Sequence, residues 1–212
     1  PLGNRTTSVY DSVSNRVAVV NPLGKRTTFV YDSANRNTAQ VDPLGNRTTL
    51  GYDSAGRLVT AQNPLGLVTS FTYDAASRRT EVQDPTGARV TFVYDAVSNR
   101  TAVVNALGKR TTSVYDALNR VQAMVNPLAK RTTFAYDAVG NRTVALDANG
   151  NRTTWTFDAA NQLETVTDAV GSVTTFVHDG DGRRVAVVDA NGHRSTWVYD
   201  AASRVVDRTS VV

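Results

Sequence analysis

An aspartate recurs every 21 residues, at the eleventh position of all ten copies of one sequence unit. Such carboxylates could bind calcium, but one per copy is few for a cation that takes about six to eight oxygens, and the glycine-rich nonapeptide of calcium-binding β-rolls is missing. We therefore interpret the column as structural, with each aspartate accepting N–H groups of a turn and pairing with arginine. Its members are Asp11, Asp32, Asp53, Asp74, Asp95, Asp116, Asp137, Asp158, Asp179 and Asp200.

Arginine recurs at the fifth position and again just after the aspartate. Basic residues interleaved with aromatic ones could line a groove for single-stranded nucleic acid. Acidic residues recur in the same copies at nearly matching frequency, so we favour Arg–Asp ladders that offset like-charge stacking and expect no nucleic-acid partner. The two sets are Arg5, Arg26, Arg47, Arg89, Arg110, Arg131, Arg152 and Arg194, then Arg16, Arg36, Arg57, Arg78, Arg100, Arg120, Arg142, Arg183 and Arg204.

Catalytic groups are scarce. The only histidines, His178 and His193, each replace a consensus residue of their copy and have no partner column. No Ser-His-Asp constellation, glycine-rich phosphate loop or His-Glu-x-x-His motif is present. An active site occurs once in a protein, whereas these residues recur along the ten copies. We therefore predict that the chain is not an enzyme and uses no cofactor or metal.

Five Asn-x-Thr sequences would be glycosylation acceptors in a eukaryotic secretory chain. Three of them share one turn column, where a polar turn residue is sufficient explanation. The near-identical, cysteine-free copies look bacterial, so we favour turn residues over glycosylation. The asparagines are Asn4, Asn46, Asn99, Asn141 and Asn151.

One repeat positions all of these columns, because the segment from Pro1 to Asn21 recurs in phase along the chain. All six prolines occupy the first position of a copy, and glycine occupies the third in every copy except at Ala129. With Asn or Asp before it, this Pro-x-Gly segment predicts a tight turn, and a second turn follows the Tyr-Asp pair. We predict a single array over 1–212, with copies starting at 1, 22, 43, 64, 85, 106, 127, 148, 169 and 190.

The aromatic residues show that the segments between the turns are strands. All 16 fall at the eighth or tenth position. A separation of two places both on one face of a strand, whereas a helix would place them about 200° apart. We predict that the tenth position forms a packed structural column. It holds Tyr10, Tyr31, Tyr52, Tyr73, Tyr94, Tyr115, Tyr136, Phe157 and Tyr199, and the eighth holds Phe29, Phe71, Phe92, Phe134, Trp155, Phe176 and Trp197.

Short connections join antiparallel neighbours, so each copy predicts a two-stranded β-hairpin in a continuous antiparallel sheet. A stacked β-solenoid remains the alternative. Twenty strands would extend about 95 Å, and open sheets rarely exceed about ten strands without curling. The predicted fold is therefore all-β, with the sheet coiled into a spiral, tube or shell.

The composition agrees with a folded repeat array. With 212 residues, 41% of them hydrophobic, the chain can bury apolar surface, which excludes wholesale disorder. The absence of cysteine excludes a disulfide scaffold. No apolar run approaches the roughly 18 to 20 residues that cross a bilayer. Because the first residue is Pro1 and the only methionine is Met124, we expect an excerpt of a larger chain whose targeting information lies elsewhere.

At these columns the sequence resembles the YD-repeat, or Rhs-repeat, family, whose pattern is roughly Tyr-Asp-x-x-Gly-Arg-Leu followed by a Pro-x-Gly turn. Here it stands as Tyr52-Asp53-Ser54-Ala55-Gly56-Arg57-Leu58, then Pro64-Leu65-Gly66. In copies such as the one running from Tyr94 to Arg100 the arginine slips by one place. The resemblance implies a large secreted or cell-surface protein. In bacterial Rhs proteins and insecticidal toxin complexes the repeat sheet encloses a C-terminal toxin, and in teneurins it forms an adhesion barrel.

Two functions follow as expectations. The first is a non-catalytic structural array of a large exported bacterial protein, forming a shell around cargo such as a toxin domain, or a tube or fibre. The second is a surface adhesion or carbohydrate-binding module that uses the repeated aromatics. Because the first and last copies are as apolar as the interior ones, we expect further repeats, or other copies of the chain, to pair head-to-tail with the ends.

Overall fold

A computed structural model describes residues 5–211. Two compact units, 1–110 and 111–212, make up the chain. No helix occurs among the described residues. The strands are β1 (Thr7–Tyr10), β2 (Arg16–Val20), β3 (Arg26–Tyr31), β4 (Asn37–Val41), β5 (Arg47–Tyr52), β6 (Leu58–Gln62), β7 (Val68–Tyr73), β8 (Arg79–Gln83), β9 (Arg89–Tyr94), β10 (Arg100–Val104), β11 (Arg110–Tyr115), β12 (Val121–Val125), β13 (Arg131–Tyr136), β14 (Arg142–Leu146), β15 (Arg152–Phe157), β16 (Leu163–Thr167), β17 (Val173–His178), β18 (Arg184–Val188), β19 (Arg194–Tyr199) and β20 (Val205–Ser210).

Consecutive strands pair antiparallel within each unit. In the first unit, β1 to β10 follow one another in chain order. In the second, β11 to β20 repeat the arrangement. Every 21-residue copy thus supplies two strands, and in the copies of β3 to β18 the first has six residues and the second five. The predicted all-β class and the antiparallel hairpins are confirmed.

The pleat separates two faces, as the spacing of the aromatic columns predicts. In β3, Phe29 and Tyr31 point to one face, which we call the aromatic face. Thr28 and Val30 point to the other, which we call the threonine face because threonine or serine fills the seventh position of each copy. Phe29 lies opposite Gln40, so the eighth and nineteenth positions share the aromatic face.

Each copy contains a β-bulge in its second strand. Val30 pairs with Ala39 and Tyr31 pairs with Asn37, so Thr38 has no residue opposite it in the strand pairing. The same shift occurs in the other copies, for example between Thr72 and Tyr73. The extra residue breaks the alternation of the second strand. This explains why the apolar residues of that strand show no clean period of two in the sequence.

Few residues of the sheet are fully buried. Among the described residues the buried hydrophobic side chains are all alanines of the threonine face, and no large side chain is fully buried. The aromatic residues of β3 to β19 are half-buried, each covered by its neighbours in the sheet. Apolar burial in this part of the chain therefore comes from side-chain packing between adjacent strands, both within a copy and between copies. The alanines are Ala18, Ala39, Ala102, Ala123 and Ala186.

Both turns of a copy have the same backbone geometry. At the second turn, the N–H of Gly56 donates to the carbonyl of Asp53 at 3.0 Å, and the N–H of Asp53 donates to the carbonyl of Arg57 at 3.0 Å. Gly56 has a φ of 79°. This is the three-residue hairpin loop, a type I turn followed by one left-handed residue. At the proline turn, Gly45 takes the left-handed position with a φ of 85°.

Ala129 occupies that left-handed position with a φ of 61°. A β-carbon disfavours this region, whereas glycine adopts it freely. We expect Ala129→Gly to raise the free energy of unfolding by about 0.5 to 1 kcal/mol, measured by urea denaturation. Gly108→Ala is the matched control, since Gly108 has a φ of 70° and an added β-carbon would meet no atom within 4 Å. It should shift stability by a similar amount in the opposite direction, and a loss of stability in Ala129→Gly would contradict the assignment.

Candidate functional site: interlocked turns and the arginine–aromatic stack

The aspartate column organises the second turn of each copy. In Asp53, Oδ1 accepts the N–H of Ala55 at 3.0 Å and the N–H of Arg57 at 2.9 Å. Its Oδ2 accepts the Nε–H of Arg57 at 2.7 Å. One carboxylate therefore satisfies two turn amides and one guanidinium. The same Asp–Arg pair forms at Asp32, Asp74, Asp116, Asp179 and Asp200.

The residue before the proline position performs the same role at the other turn. Asp42 accepts the N–H groups of Leu44 at 2.8 Å and Asn46 at 2.9 Å through Oδ1. Its Oδ2 accepts the side-chain amide of Asn46 at 2.8 Å. Where this residue is asparagine, as at Asn21, Oδ1 still accepts the two backbone N–H groups. The sequence showed Asn or Asp here in copy after copy, but its equivalence to the aspartate column was missed.

Hydrogen bonds stabilise the charged form of these carboxylates. The backbone N–H and guanidinium of Arg57 hold the pKa of Asp53 below its ordinary value, against partial desolvation. The side-chain amide of Asn46 has the same effect on the pKa of Asp42. These aspartates are therefore ionised at neutral pH and act as acceptors only.

Where a second turn ends in arginine, as at Arg57, the guanidinium also reaches the turn of the next copy. Nη1 of Arg57 donates to the carbonyl oxygen of Asp74 at 3.0 Å and lies 3.3 Å from Oγ of Ser77. Arg78 repeats both contacts one copy later, at Asp95 and Ser98. Arg36 and Arg120 make the carbonyl contact as well. Successive turns are thus linked along one edge of the sheet by guanidinium groups.

The tyrosine column links the same copies in the opposite direction. The hydroxyl of Tyr73 donates to the carbonyl of Leu58 at 2.8 Å, next to the β-bulge of the preceding copy. The guanidinium carbon of Arg57 lies 5.0 Å from the ring centroid of Tyr73, a cation–π distance. The hydroxyl bond recurs at Tyr31, Tyr52, Tyr94, Tyr136 and Tyr199, while Tyr10 is 59% exposed.

A second arginine set lies one residue further on and has a different environment. The guanidinium carbon of Arg79 is 5.7 Å from the centroid of Phe71 and 5.6 Å from that of Phe92. It therefore lies between two rings of the aromatic face. The one-place slip seen in the sequence separates two functions: Arg78 joins turns, whereas Arg79 fills the stack of the eighth column.

The RHS-repeat family model matches the chain eight times, at residues 10–47, 31–67, 52–90, 94–129, 115–152, 136–175, 157–194 and 178–211. The chain belongs to the RHS-repeat family. As expected for that family, it is an array of YD repeats built from hairpins. Among curated proteins, none matches this RHS-repeat chain significantly.

Solved structures share the fold of this RHS-repeat chain. A chain in the crystal structure of TcdB2-TccC3-Cdc42 has a TM-score of 0.56 and 14% identity, covering 97% of this chain and 14% of that chain. A chain in the Photorhabdus luminescens Tc holotoxin pore also has a TM-score of 0.56 and 14% identity, over 98% of this chain and 15% of its own length. A chain of TcdB2-TccC3 gives 0.55 at 14% identity, over 98% and 15%. The RHS-repeat chain thus spans about a seventh of the length of the chains it matches.

The histidines are separate from one another in this RHS-repeat array. His193 is exposed, and its Nδ1 lies 3.0 Å from Oδ2 of Asp189 in a proline-position turn. His178 is half-buried in β17, opposite Arg184. Over residues 5–211, no three or more His, Cys, Asp and Glu side chains come together as a metal site. No helix in the described part of the chain has the length and apolarity to cross a membrane.

Within residues 5–211, the asparagines of the Asn-x-Thr sequences lie in turns. Asn46 and Asn151 donate their side-chain amides to Asp42 and Asp147, each at 2.8 Å. Asn99 and Asn141 donate theirs to the aspartate of the same turn, at 3.0 and 2.9 Å. Asn4 lies outside the described residues. The amides in residues 5–211 therefore have a structural use in the turns.

Proposed function

We propose that this chain is a segment of the non-catalytic β-sheet wall of a large exported bacterial protein, and that the wall encloses cargo such as a toxin domain. The observation that carries the proposal is the linkage between copies. Arg57 reaches forward to the turn of Asp74, while Tyr73 reaches back to the carbonyl of Leu58. The arginine and tyrosine side chains, which could otherwise bind a ligand, connect neighbouring copies of the sheet.

The periodicity of these contacts supports a structural role over a catalytic one. A general base or nucleophile needs a group within reach of a substrate atom, positioned once in the molecule. The carboxylates of the second turn instead accept two backbone N–H groups in each described copy. Their Oδ1 atoms are therefore engaged by the fold itself. The comparisons support the same proposal, since chains in the Tc holotoxin pore share this fold over about a seventh of their length.

Open strand edges indicate the partner of such a wall. Among the described residues, β1 pairs only with β2 and β20 pairs only with β19. Val205 and Val206 in β20 are 53% and 61% exposed. An unpaired edge with apolar side chains is a template for another strand. Further repeats of the same protein, or another copy of this chain in head-to-tail contact, would cover these edges.

Sedimentation velocity tests the edge pairing. We expect the isolated chain to associate, with a weight-average sedimentation coefficient that rises with concentration, because each added copy leaves a new open edge. Val206→Lys places a charge on the edge strand and should reduce association, while Val139→Lys adds the same charge at an exposed turn and should not. A monomer at all concentrations would show that the edges need no partner.

Limited trypsin digestion of the longer protein tests the enclosure. Peptide bonds of enclosed cargo should be cleaved much more slowly in the intact protein than in a sample unfolded by urea. Equal cleavage rates in both samples would refute the enclosure, and only the structural role of the sheet would remain.

A further inference from the structure

The aromatic face of the second unit is positively charged along its strands. Its charged strand residues are Arg142, Arg184 and Arg208, as the pairing register places them. The strand carboxylates Glu164 and Asp207 lie on the threonine face, where Thr156 lies 3.4 Å from Glu164 and Val198 pairs with Asp207. An approaching partner therefore meets only cations between the two rows of turns on the aromatic face.

Two of these guanidinium groups are held between rings without an ionic partner. The guanidinium carbon of Arg142 lies 5.5 Å from the centroid of Phe134 and 4.6 Å from that of Trp155. That of Arg184 lies 6.0 Å from Phe176 and 5.1 Å from Trp197. Both arginines are exposed, and neither makes an ion pair or a side-chain hydrogen bond with any residue in the range 5–211. Their planar N–H forks are thus fixed in place and available to a carboxylate.

A cavity of about 250 Å³ opens beside Arg142, lined by that residue, Trp155, Phe157 and Leu163. Leu163 stands there at the position that Arg142 and Arg184 occupy in their copies, so its own copy supplies no guanidinium beside Trp155. Three of its four walls are apolar and the fourth is a cation. A group that combines an apolar side chain with a neighbouring carboxylate fits this chemistry.

We propose that the aromatic face between Arg142 and Arg184 binds an extended acidic peptide that crosses the strands, with an apolar side chain in the cavity beside Trp155. Arg142 lies in β14 and Arg184 in β18, four strand spacings or about 19 Å apart. An extended chain covers that distance in about six residues. The spacing predicts acidic residues at i and i+6, with an apolar residue at i+2 on the same side.

The covered ring faces favour this partner over a nucleic acid. Single-stranded nucleic acid is held by bases stacked on free aromatic faces. Here the faces of Phe134 and Trp155 that look toward one another are covered by Arg142. The guanidinium groups are left as the recognition elements, and they bind carboxylates through two parallel N–H···O bonds. The proposal holds whether or not the array encloses cargo.

Fluorescence of Trp155 tests the proposal in a Trp197→Phe background, which keeps a ring beside Arg184. The probe is the peptide acetyl-Ser-Glu-Thr-Leu-Thr-Ser-Thr-Glu-Ser-amide. We expect a saturable change in Trp155 emission, and we expect Arg142→Gln to weaken binding about tenfold. The matched control is Arg152→Gln, because Arg152 is exposed on the threonine face of the adjacent strand, opposite Leu146. It removes the same charge and should change binding less than about twofold.

Further outcomes decide the specificity of the site. A peptide with lysine in place of both glutamates should not bind, and one with serine in place of leucine should bind more weakly. Thermal unfolding by circular dichroism verifies that each variant is folded. Equal losses in Arg142→Gln and Arg152→Gln would reduce the binding to general charge attraction and overturn the proposal. Absence of binding up to about 1 mM peptide, or equally strong quenching by oligo-deoxythymidine, would also overturn it.

Discussion

We expect Tyr94→Ala to lower the free energy of unfolding by about 3 kcal/mol, as for other truncations of packed aromatic residues. The ring of Tyr94 is half-buried, with the guanidinium carbon of Arg78 4.9 Å from its centroid. Its hydroxyl donates to the carbonyl of Arg79 at 3.0 Å. Truncation removes the ring contact and leaves that carbonyl without its side-chain donor. Equilibrium urea unfolding, monitored by circular dichroism, measures the loss.

The matched control is Tyr94→Phe, which removes only the hydroxyl. We expect a loss of about 1 kcal/mol, the usual contribution of one hydrogen bond. The chain itself carries this change at Phe157, which keeps the half-buried ring of the column. If Tyr94→Ala changed stability by less than about 0.5 kcal/mol, the tyrosine column would be solvated and not packed.

Acid should destabilise the array strongly, because the pKa of most turn aspartates is lowered in the folded state. A carboxyl whose folded pKa lies below its unfolded value stabilises the fold above the unfolded value, near pH 4, and loses that contribution as pH falls through the folded value. We expect the thermal midpoint to change little between pH 7 and pH 5 and to fall steeply below about pH 4. The groups are Asp11, Asp32, Asp42, Asp53, Asp74, Asp84, Asp95, Asp116, Asp137, Asp147, Asp179, Asp189 and Asp200.

The chain supplies its own control for this effect. The turn of Asn21 and Lys25 keeps both backbone hydrogen bonds without a titrating carboxylate. Asp42→Asn combined with Asn46→Lys copies that turn, and the same exchange at Asp147 and Asn151 copies it again. We expect these variants to retain neutral-pH stability and to lose less of it in acid. A thermal midpoint that did not vary from pH 7 to pH 2 would contradict the role of the carboxylates.

The turns and the strand faces were predictable from the sequence because both depend on local chemistry. Proline and glycine mark the first turn in the sequence, and Gly45 adopts the positive φ expected of its position. The aromatic residues at the eighth and tenth positions required a period of two, which only a strand provides. Two aromatic residues two positions apart, such as Phe29 and Tyr31, were therefore sufficient to place the aromatic face.

The β-bulge was not predictable, and the contacts between strands were missed for the same reason. The unpaired Thr38 arises from pairing between strands, which a single strand's sequence does not specify. Arg78 closes the turn and Arg79 is the first residue of β8, where it pairs with Tyr73, so the two differ in environment although the sequence shows them as one column with a slip. Contacts between copies, such as Tyr73 to Leu58, also need the register of the sheet.

The forward and backward links between copies bear on how such proteins change in length during evolution. Copies with arginine at the fifteenth position and tyrosine at the tenth bond to their neighbours through the same kinds of atoms, as Arg57 and Tyr73 do. Unequal recombination between near-identical gene segments removes or inserts a whole number of 21-residue units. A new junction between two such copies then joins an arginine to a turn and a tyrosine to the carbonyl beside a bulge, as in the existing array. The array can therefore gain or lose copies in single genetic steps while each junction remains satisfied, whereas a deletion out of phase would break the links on both sides.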